Sequence, residues 1–233
     1  MPRVARSIIS DTPYHIIHRG NNRQKIFFCE GDYRYFLSLL KEAKKKYNCK
    51  LFSYVLMPNH IHLILESSQS SGNLAKYVKL IAQKYAQYIN KRYKRTGTLW
   101  EGKFKSSAIS KDDYLLACSR YIEMNPVRAN MVAEPEDYIW CSFRYKIGES
   151  DGSELLDPDP LYADLGNNII ERQNNYRKRF KEYMPSQEWD LIREAINKGS
   201  IFGNDNFKDS MIKLLGKELN IRRRGRPKKE NLN

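Results

Sequence analysis

The chain has 233 residues, with 41 lysines and arginines against 27 aspartates and glutamates, giving a formal net charge of +14. This charge predicts a polyanionic partner. Membrane lipid is the less expected polyanion, because no run approaches the roughly 18 apolar residues of a spanning helix. The N-terminal stretch lacks the apolar core of a secretory signal, and the four cysteines form no Cys-x-x-Cys pair. We therefore expect a cytoplasmic nucleic-acid protein with reduced thiols.

The first predicted strand covers residues 14–19, which are rich in aromatic and β-branched side chains. It runs into a turn sequence at residues 20–24 that is crowded with hydrogen-bonding side chains. A solvated loop is one interpretation of this turn. The functional interpretation is that its side chains grip phosphates or base edges of a nucleic acid. The candidates for that role are Arg19, Asn21, Asn22, Arg23 and Gln24.

A pair of histidines marks the third strand. The chain reaches it through a helical pattern that starts at residue 32, a second strand at 51–56 and a tight turn at Pro58-Asn59. Side chains alternate between the faces of a strand, so His60 and His62 share one face. Two neighbouring neutral imidazoles can hold a divalent cation. The alternative is a half-buried strand with two incidental histidines.

A long helix and a weak fourth strand complete the pattern. The helix is predicted at 73–93, and the strand at 106–110 follows a glycine-rich connection in which Lys103 and Lys105 are candidate DNA contacts. Strand, helix, strand, strand, helix, strand is the order of the split βαβ, or ferredoxin-like, sheet. We therefore predict an α+β fold with an antiparallel sheet, helices on one face and the histidines on the other, open face.

The helix after the fourth strand carries a candidate nucleophile. We expect Ser110 to cap its N-terminus and Pro126 to end it. Tyr121 and Asn125 are four residues apart and therefore share a face of this helix. Tyr114, one heptad before Tyr121, is the rival tyrosine on that face.

The composition changes after residue 148, which predicts a domain boundary. We expect a main domain at 1–148, a small helical appendage at 149–220 that packs on it, and a basic tail at 221–233. In the tail, Arg224 and Arg226 flank a glycine in a sequence that resembles an AT-hook, whose arginines enter a narrow A·T-rich minor groove. A solvated tail without contacts is the alternative.

The ordered set of motifs resembles that of one enzyme family. Met57-Pro58-Asn59-His60-Ile61-His62 is followed by Gly97-Thr98-Leu99-Trp100-Glu101-Gly102-Lys103-Phe104, by Arg120-Tyr121-Ile122-Glu123-Met124-Asn125-Pro126-Val127-Arg128-Ala129, and by Trp140-Cys141-Ser142-Phe143. Together these stretches, within about residues 10–147, resemble the single-tyrosine HUH transposases and, among them, the REP-associated tyrosine transposases.

The resemblance implies an activity and a site. The domain at 1–148 would be a site-specific endonuclease and strand transferase for single-stranded DNA, cleaving at hairpin-forming repeats through a 5′-phosphotyrosine on Tyr121. His60 and His62 would be metal ligands for Mg²⁺ or Mn²⁺, with Asn125 as third ligand at a position that is often glutamine in relatives. Two imidazoles would also suit zinc or nickel. The sequence names no certain general base, and we interpret His15 and His18 as structural strand residues.

The resemblance also implies a partner and a location. The partner would be a single-stranded DNA hairpin, REP-like or from an insertion end, and the protein would be bacterial and nucleoid-associated. The long C-terminal extension favours a monomer over the homodimer of insertion-sequence relatives. The alternative function is a catalytically silent module that binds DNA repeats and regulates them. The presence of His60, His62 and Tyr121 together favours the enzyme.

Overall fold

A five-stranded sheet forms the centre of the protein, in a computed structural model that describes residues 8–68, 70–151, 154–181 and 186–215. The strands lie in the order β2-β3-β1-β4-β5, and the first four pair antiparallel. This order confirms the predicted split βαβ sheet. The strands are β1 Pro13–Arg19, β2 Cys49–Met57, β3 His60–Ser67, β4 Lys105–Ile109 and β5 Ile201–Phe202.

Two long helices, α1 (Glu30–Tyr47) and α2 (Ser71–Arg92), pack on one face of the sheet. Their apolar side chains form one core with Ile61, Leu63 and Leu65 of β3, whose alternation turns these three residues away from the histidines. The hydroxyls of buried tyrosines of α2 donate hydrogen bonds to main-chain carbonyls. For example, the hydroxyl of Tyr77 donates to the carbonyl oxygen of Leu40 at 3.0 Å. Burial of each such large side chain contributes roughly 1.5–3 kcal/mol.

The histidine face of the sheet is covered as well, whereas the sequence predicted that it would be open. Side chains of α3, α5, α7 and α8 form a second core there with Val55 and Ile64. The helices that follow β4 are α3 Asp113–Glu123, α4 Asn125–Arg128, α5 Phe143–Lys146, α6 Pro160–Ala163, α7 Ile169–Lys181, α8 Ser186–Lys198 and α9 Asp205–Leu215. The candidate site is therefore partly covered by these helices and is not a flat, open surface.

The region around Ser110 differs from the prediction in two ways. Ser110 does not cap α3. Its amide donates to the carbonyl oxygen of Phe202 at 3.0 Å, which extends the pairing of β4 with β5 by one hydrogen bond. The cap is Asp112, whose carboxylate accepts from the amide of Tyr114 at 3.3 Å. The strand β5, which pairs parallel with β4, was not predicted.

The described residues after 148 contribute to this fold. They supply β5 to the sheet and side chains of α7 and α8 to the second core. The division at residue 148 itself stays a prediction. Among the described residues, no helix is long and apolar enough to cross a membrane.

Candidate active site

His60 and His62 lie on the face of β3 that points to α3, as the alternation predicted. Their ring centroids are 5.0 Å apart. His62 is buried, whereas His60 is partly exposed. Both imidazoles are therefore neighbours at the boundary between the second core and the surface.

A third histidine joins them from β1. In the pairing of β1 with β3, His15 lies opposite Ile64 and Ile17 lies opposite His62. His15 is thus two positions along β1 from the residue that pairs with His62. Nε2 of His15 lies 2.7 Å from Nδ1 of His62, and both rings are buried. His18, by contrast, stacks on Trp100 at 4.2 Å between ring centroids, and its Nε2 lies 3.1 Å from the carbonyl oxygen of Gly102. The interpretation as a structural strand residue therefore agrees with the contacts of His18, whereas His15 lies in the candidate site.

Helix α3 places Tyr121 against these rings. The Tyr121 ring centroid lies 6.0 Å from that of His62 and 5.8 Å from that of His15. The rival Tyr114 instead packs edge-on against Phe202 of β5, at 4.8 Å. The structure thus brings Tyr121 to the histidine pair.

Asn125 closes the C-terminal end of α3. Its amide nitrogen donates to the carbonyl oxygens of Tyr121 at 2.8 Å and of Ile122 at 3.1 Å. These bonds satisfy carbonyls that the end of a helix leaves without partners. They occupy the amide nitrogen, so the side-chain oxygen is the atom that could serve as a ligand.

Two residues that the sequence did not indicate pack against the candidate nucleophile, Tyr121. The guanidinium carbon of Arg128 lies 5.3 Å from the ring centroid of Tyr121 and 4.6 Å from that of Trp189 in α8. The rings of Tyr121 and Trp189 lie 5.6 Å apart, and Tyr121 is only 5% exposed. Arg128 belongs to the same motif as Tyr121 and could have been found from it, whereas nothing in the sequence marks Trp189.

Burial keeps the histidines of the site neutral. It lowers the pKa of His15 to about 3 and, together with the nearby Arg19, that of His60 to about 4. Burial also holds the pKa of His62 well below its ordinary value, helped by the neighbouring ionisable rings of His15 and His60 and by the cations Arg19 and Arg128. Neutral imidazole is the form that binds metal ions.

His60 and His62 each have one ring nitrogen that could bind a divalent cation. Nδ1 of His60 lies 2.6 Å from the side-chain oxygen of Asn59, and Nδ1 of His62 lies 2.7 Å from His15. Because both Nδ1 atoms have partners, Nε2 is the nitrogen that each ring has left for a ligand. No cluster of three or more His, Cys, Asp or Glu suited to a metal ion occurs among the described residues; the third donor that the sequence predicted, Asn125, is an amide and does not belong to these residue types.

The loop after β1 lies beside this site. Arg19 pairs with His60 across the strands and so shares its face. Gly20 is required because a Cβ there would lie 2.3 Å from the carbonyl oxygen of Gln24. Asn21, Asn22 and Arg23 are exposed, whereas Gln24 accepts a hydrogen bond from Arg95 at 2.9 Å. The predicted DNA-contacting loop is thus adjacent to the histidines, although its contacts stay a prediction.

The remaining candidate DNA contacts are dispersed. Lys103 is exposed in the connection between α2 and β4. Lys105 donates to the side-chain oxygen of Asn197 in α8 at 2.8 Å. Arg224 and Arg226 of the predicted AT-hook lie outside the described residues.

A buried polar network anchors the end of α3. Glu123, fully buried, forms an ion pair with the buried Lys146 of α5 at 3.0 Å. Its carboxylate also accepts from the hydroxyls of Ser142 at 2.5 Å and Tyr176 at 2.6 Å. Lys146 donates further to Ser53 of β2 at 2.6 Å. Through Glu123, which lies two residues after Tyr121, the network connects α3 to the sheet and to α7.

Comparison with known proteins shows the family of the chain and its fold. The model of the family described as IS200-like transposases matches residues 8–125. A Haemophilus influenzae protein named "Putative REP-associated tyrosine transposase" is 24% identical over an alignment of 118 residues. The match covers 46% of this chain and 66% of that relative, so the chain spans just under two thirds of the relative's length.

The fold has a solved counterpart. The structure of a REP-associated tyrosine transposase bound to a REP hairpin superposes with a TM-score of 0.55 at 16% identity, covering 67% of this chain and 98% of that one. At this identity the similarity concerns the fold. Since the family match spans half of the chain and includes β1, the His60–His62 strand and Tyr121, the chain belongs to the family of IS200-like transposases.

Proposed function

We propose that the protein is a site-specific endonuclease and strand transferase for single-stranded DNA, which cleaves at hairpin-forming repeats through a phosphotyrosine on Tyr121. The observation that carries this proposal is the placement of the Tyr121 ring beside the His62–His15 pair, with His60 adjacent. A phenol next to imidazoles and arginines is suited to attack on a phosphodiester.

The reaction would exchange one ester for another. The Oη of Tyr121 attacks the phosphorus, the bond from phosphorus to the 3′-oxygen breaks, and the phenol proton is balanced by the proton that the new 3′-hydroxyl gains. The products are a 5′-phosphotyrosine and a free 3′-hydroxyl. Because the phosphotyrosine keeps the ester bond energy, a later 3′-hydroxyl can rejoin the strand without ATP. A free phenol has a pKa of about 10, so Tyr121 must give up its proton during attack.

The metal would be held by Nε2 of His60, Nε2 of His62 and the side-chain oxygen of Asn125. Mg²⁺ or Mn²⁺ is the expected ion, and when bound it supplies Lewis-acid stabilisation of charge that develops on the scissile phosphate. The chain's own part is to keep both imidazoles neutral and oriented, through Asn59 and His15. Asn125 has its amide nitrogen engaged with α3, which fixes the side chain.

Cationic side chains near the histidines would hold the DNA backbone. Arg19 and Arg128 both lie close enough to lower the pKa of His62. Arginine contacts phosphate oxygens through two parallel hydrogen bonds, which orients as well as attracts. Trp189 packs beside the Tyr121 ring, so the incoming strand would displace Trp189 to reach the phenol. The exposed Asn21, Asn22 and Arg23, with Gln24 and Lys103, would extend this contact along the strand.

The proposed partner is a single-stranded DNA hairpin of REP-like or insertion-end type, in the bacterial cytoplasm and at the nucleoid. The net charge of +14 supports a nucleic-acid partner, and the solved counterpart is bound to a REP hairpin. We expect a monomer, since the C-terminal segment already covers the histidine face of the sheet.

A silent, repeat-binding regulator on the same fold is the second candidate, favoured by the low exposure of Tyr121. The two are separated by incubating the protein with Mn²⁺ and a hairpin labelled at its 3′ end, which is the end that stays on the fragment bound to the tyrosine, and then denaturing the protein. The enzyme gives a protein–DNA adduct that survives denaturation, loses it in Tyr121→Phe and keeps it in the matched variant Tyr114→Phe. Hairpin binding without any adduct would support the silent module.

A further inference from the structure

The contact between His15 and His62 joins two buried rings, which constrains where their protons lie. Nε2 of His15 and Nδ1 of His62 are 2.7 Å apart, a normal distance for one hydrogen bond. One of the two nitrogens must carry the proton and the other must accept it, because two unprotonated nitrogens would repel and two protonated ones would collide. Both rings are almost inaccessible to water, so solvent does not relieve this requirement.

The direction of this hydrogen bond decides what the other nitrogen of His62 can do. A neutral imidazole carries one proton, so a proton on Nδ1 leaves Nε2 with its lone pair. If His15 donated instead, the His62 proton would lie on Nε2, and that nitrogen could not bind a cation. His60 has an oxygen acceptor at its Nδ1, so its proton is already placed there by Asn59. The same tautomer in both rings would present two Nε2 lone pairs to one ion.

We infer that His15 is a positioning residue that accepts the Nδ1 proton of His62 and thereby fixes the His62 tautomer that can bind a divalent cation. The inference rests on the proposed function, because it assigns to His15 the support of a ligand in that metal centre. His15 touches neither the ion nor the DNA; its ring also packs edge-on against Tyr121 at 5.8 Å, so it holds ligand and nucleophile together. Metal-binding histidines depend on such acceptors, whose loss weakens metal affinity by roughly 10–100-fold.

The first test is spectroscopic and needs neither metal nor activity. Long-range ¹H–¹⁵N correlation spectra of the full chain with ¹⁵N-labelled histidine distinguish the tautomers of its four histidines. At pH 7 without metal, His62 should be protonated at Nδ1 and His15 should have an unprotonated Nε2. A His62 ring protonated at Nε2 would overturn the inference.

The second test measures the affinity for Mn²⁺ alone by electron paramagnetic resonance. His15→Leu should bind Mn²⁺ about 10–100-fold more weakly than the unmodified chain, whereas His15→Gln should stay close to it, because the glutamine oxygen can accept the Nδ1 proton. The matched control is His18→Gln, on the same strand but hydrogen-bonded to Gly102 and away from His62; it should bind normally.

The possible failures are distinguishable. Normal Mn²⁺ affinity in His15→Leu, with loss in His60→Ala, would leave the proposed metal centre intact and overturn the role of His15. An unmodified chain that binds no Mn²⁺, or whose binding does not depend on His60, would overturn the metal centre and with it this inference. If His15→Leu does not fold, the tautomer spectrum of the unmodified chain and the His15→Gln affinity still decide the outcome.

Discussion

Removing the lysine of the buried ion pair should destabilise the protein strongly. In Lys146→Met the carboxylate of Glu123 keeps the hydroxyl donors Ser142 and Tyr176 but loses the counter-charge of the Lys146 ammonium, which lies 3.0 Å away. Glu123 is fully buried, and leaving one charge of a buried pair uncompensated costs about 3–5 kcal/mol. For a chain of this length, 1 kcal/mol corresponds to about 2–4 °C in Tm, so we expect a loss of roughly 6–20 °C.

The double variant Glu123→Gln/Lys146→Met separates charge from packing. The glutamine oxygen can accept from one of the two hydroxyls and its NH2 group can donate to the other, and no buried charge is left, so most of the lost stability should return. Thermal unfolding and urea titration of both single variants and the double variant give the coupling free energy.

The matched control is Arg34→Met, which breaks the ion pair with Glu30. The two side chains of this pair are 72% and 69% exposed, so its removal should leave Tm almost unchanged. A Lys146→Met shift no larger than that of Arg34→Met would refute the reasoning that a charged network anchors α3.

Three further outcomes follow from the site and the tail. Cleavage should be lost in EDTA and in the His60→Ala/His62→Ala variant, while Asn125→Ala should retain part of it; full cleavage in EDTA would exclude the metal centre. Trp189→Ala should uncover the nucleophile and speed single-turnover adduct formation, and a slower reaction would show that Trp189 helps to bind the strand instead. Truncation after Asn220 should flatten the log–log salt slope of duplex binding by roughly 2–3 units, more on A·T-rich DNA, and an unchanged slope would exclude the tail as a DNA contact.

The sheet and the shared face of the histidines could be predicted because both depend on local patterns. The two-residue period of β3 places His60 and His62 together wherever the strand lies. The spacing of Tyr121 and Asn125 on α3 is equally local. The prediction that the histidine face of the sheet would be open was wrong. Coverage of a sheet face depends on where later helices pack, and these helices have few apolar residues that would indicate such packing.

Contacts between distant parts of the chain could not be predicted. His15 and His62 are 47 residues apart, and only the register of β1 against β3 brings their nitrogens together. Trp189 reaches Tyr121 from α8, and β5 is two residues long, too short for any periodic signal. The N-cap of α3 was misplaced by two residues because Ser110 and Asp112 are both good caps, and pairing with β5 selects Asp112.

The central claim is that Tyr121 forms a covalent bond with DNA, and the most direct measurement is to identify the modified residue. Trypsin cleaves after Lys111, Arg120 and Arg128, so the two candidate tyrosines fall on different peptides, Tyr114 on 112–120 and Tyr121 on 121–128. After reaction with a hairpin and nuclease digestion, mass spectrometry should find the nucleotide adduct on peptide 121–128, attached through a 5′-phosphate, with a free 3′-hydroxyl on the released fragment. An adduct on peptide 112–120, or no adduct on a protein that binds the hairpin and Mn²⁺, would contradict the account.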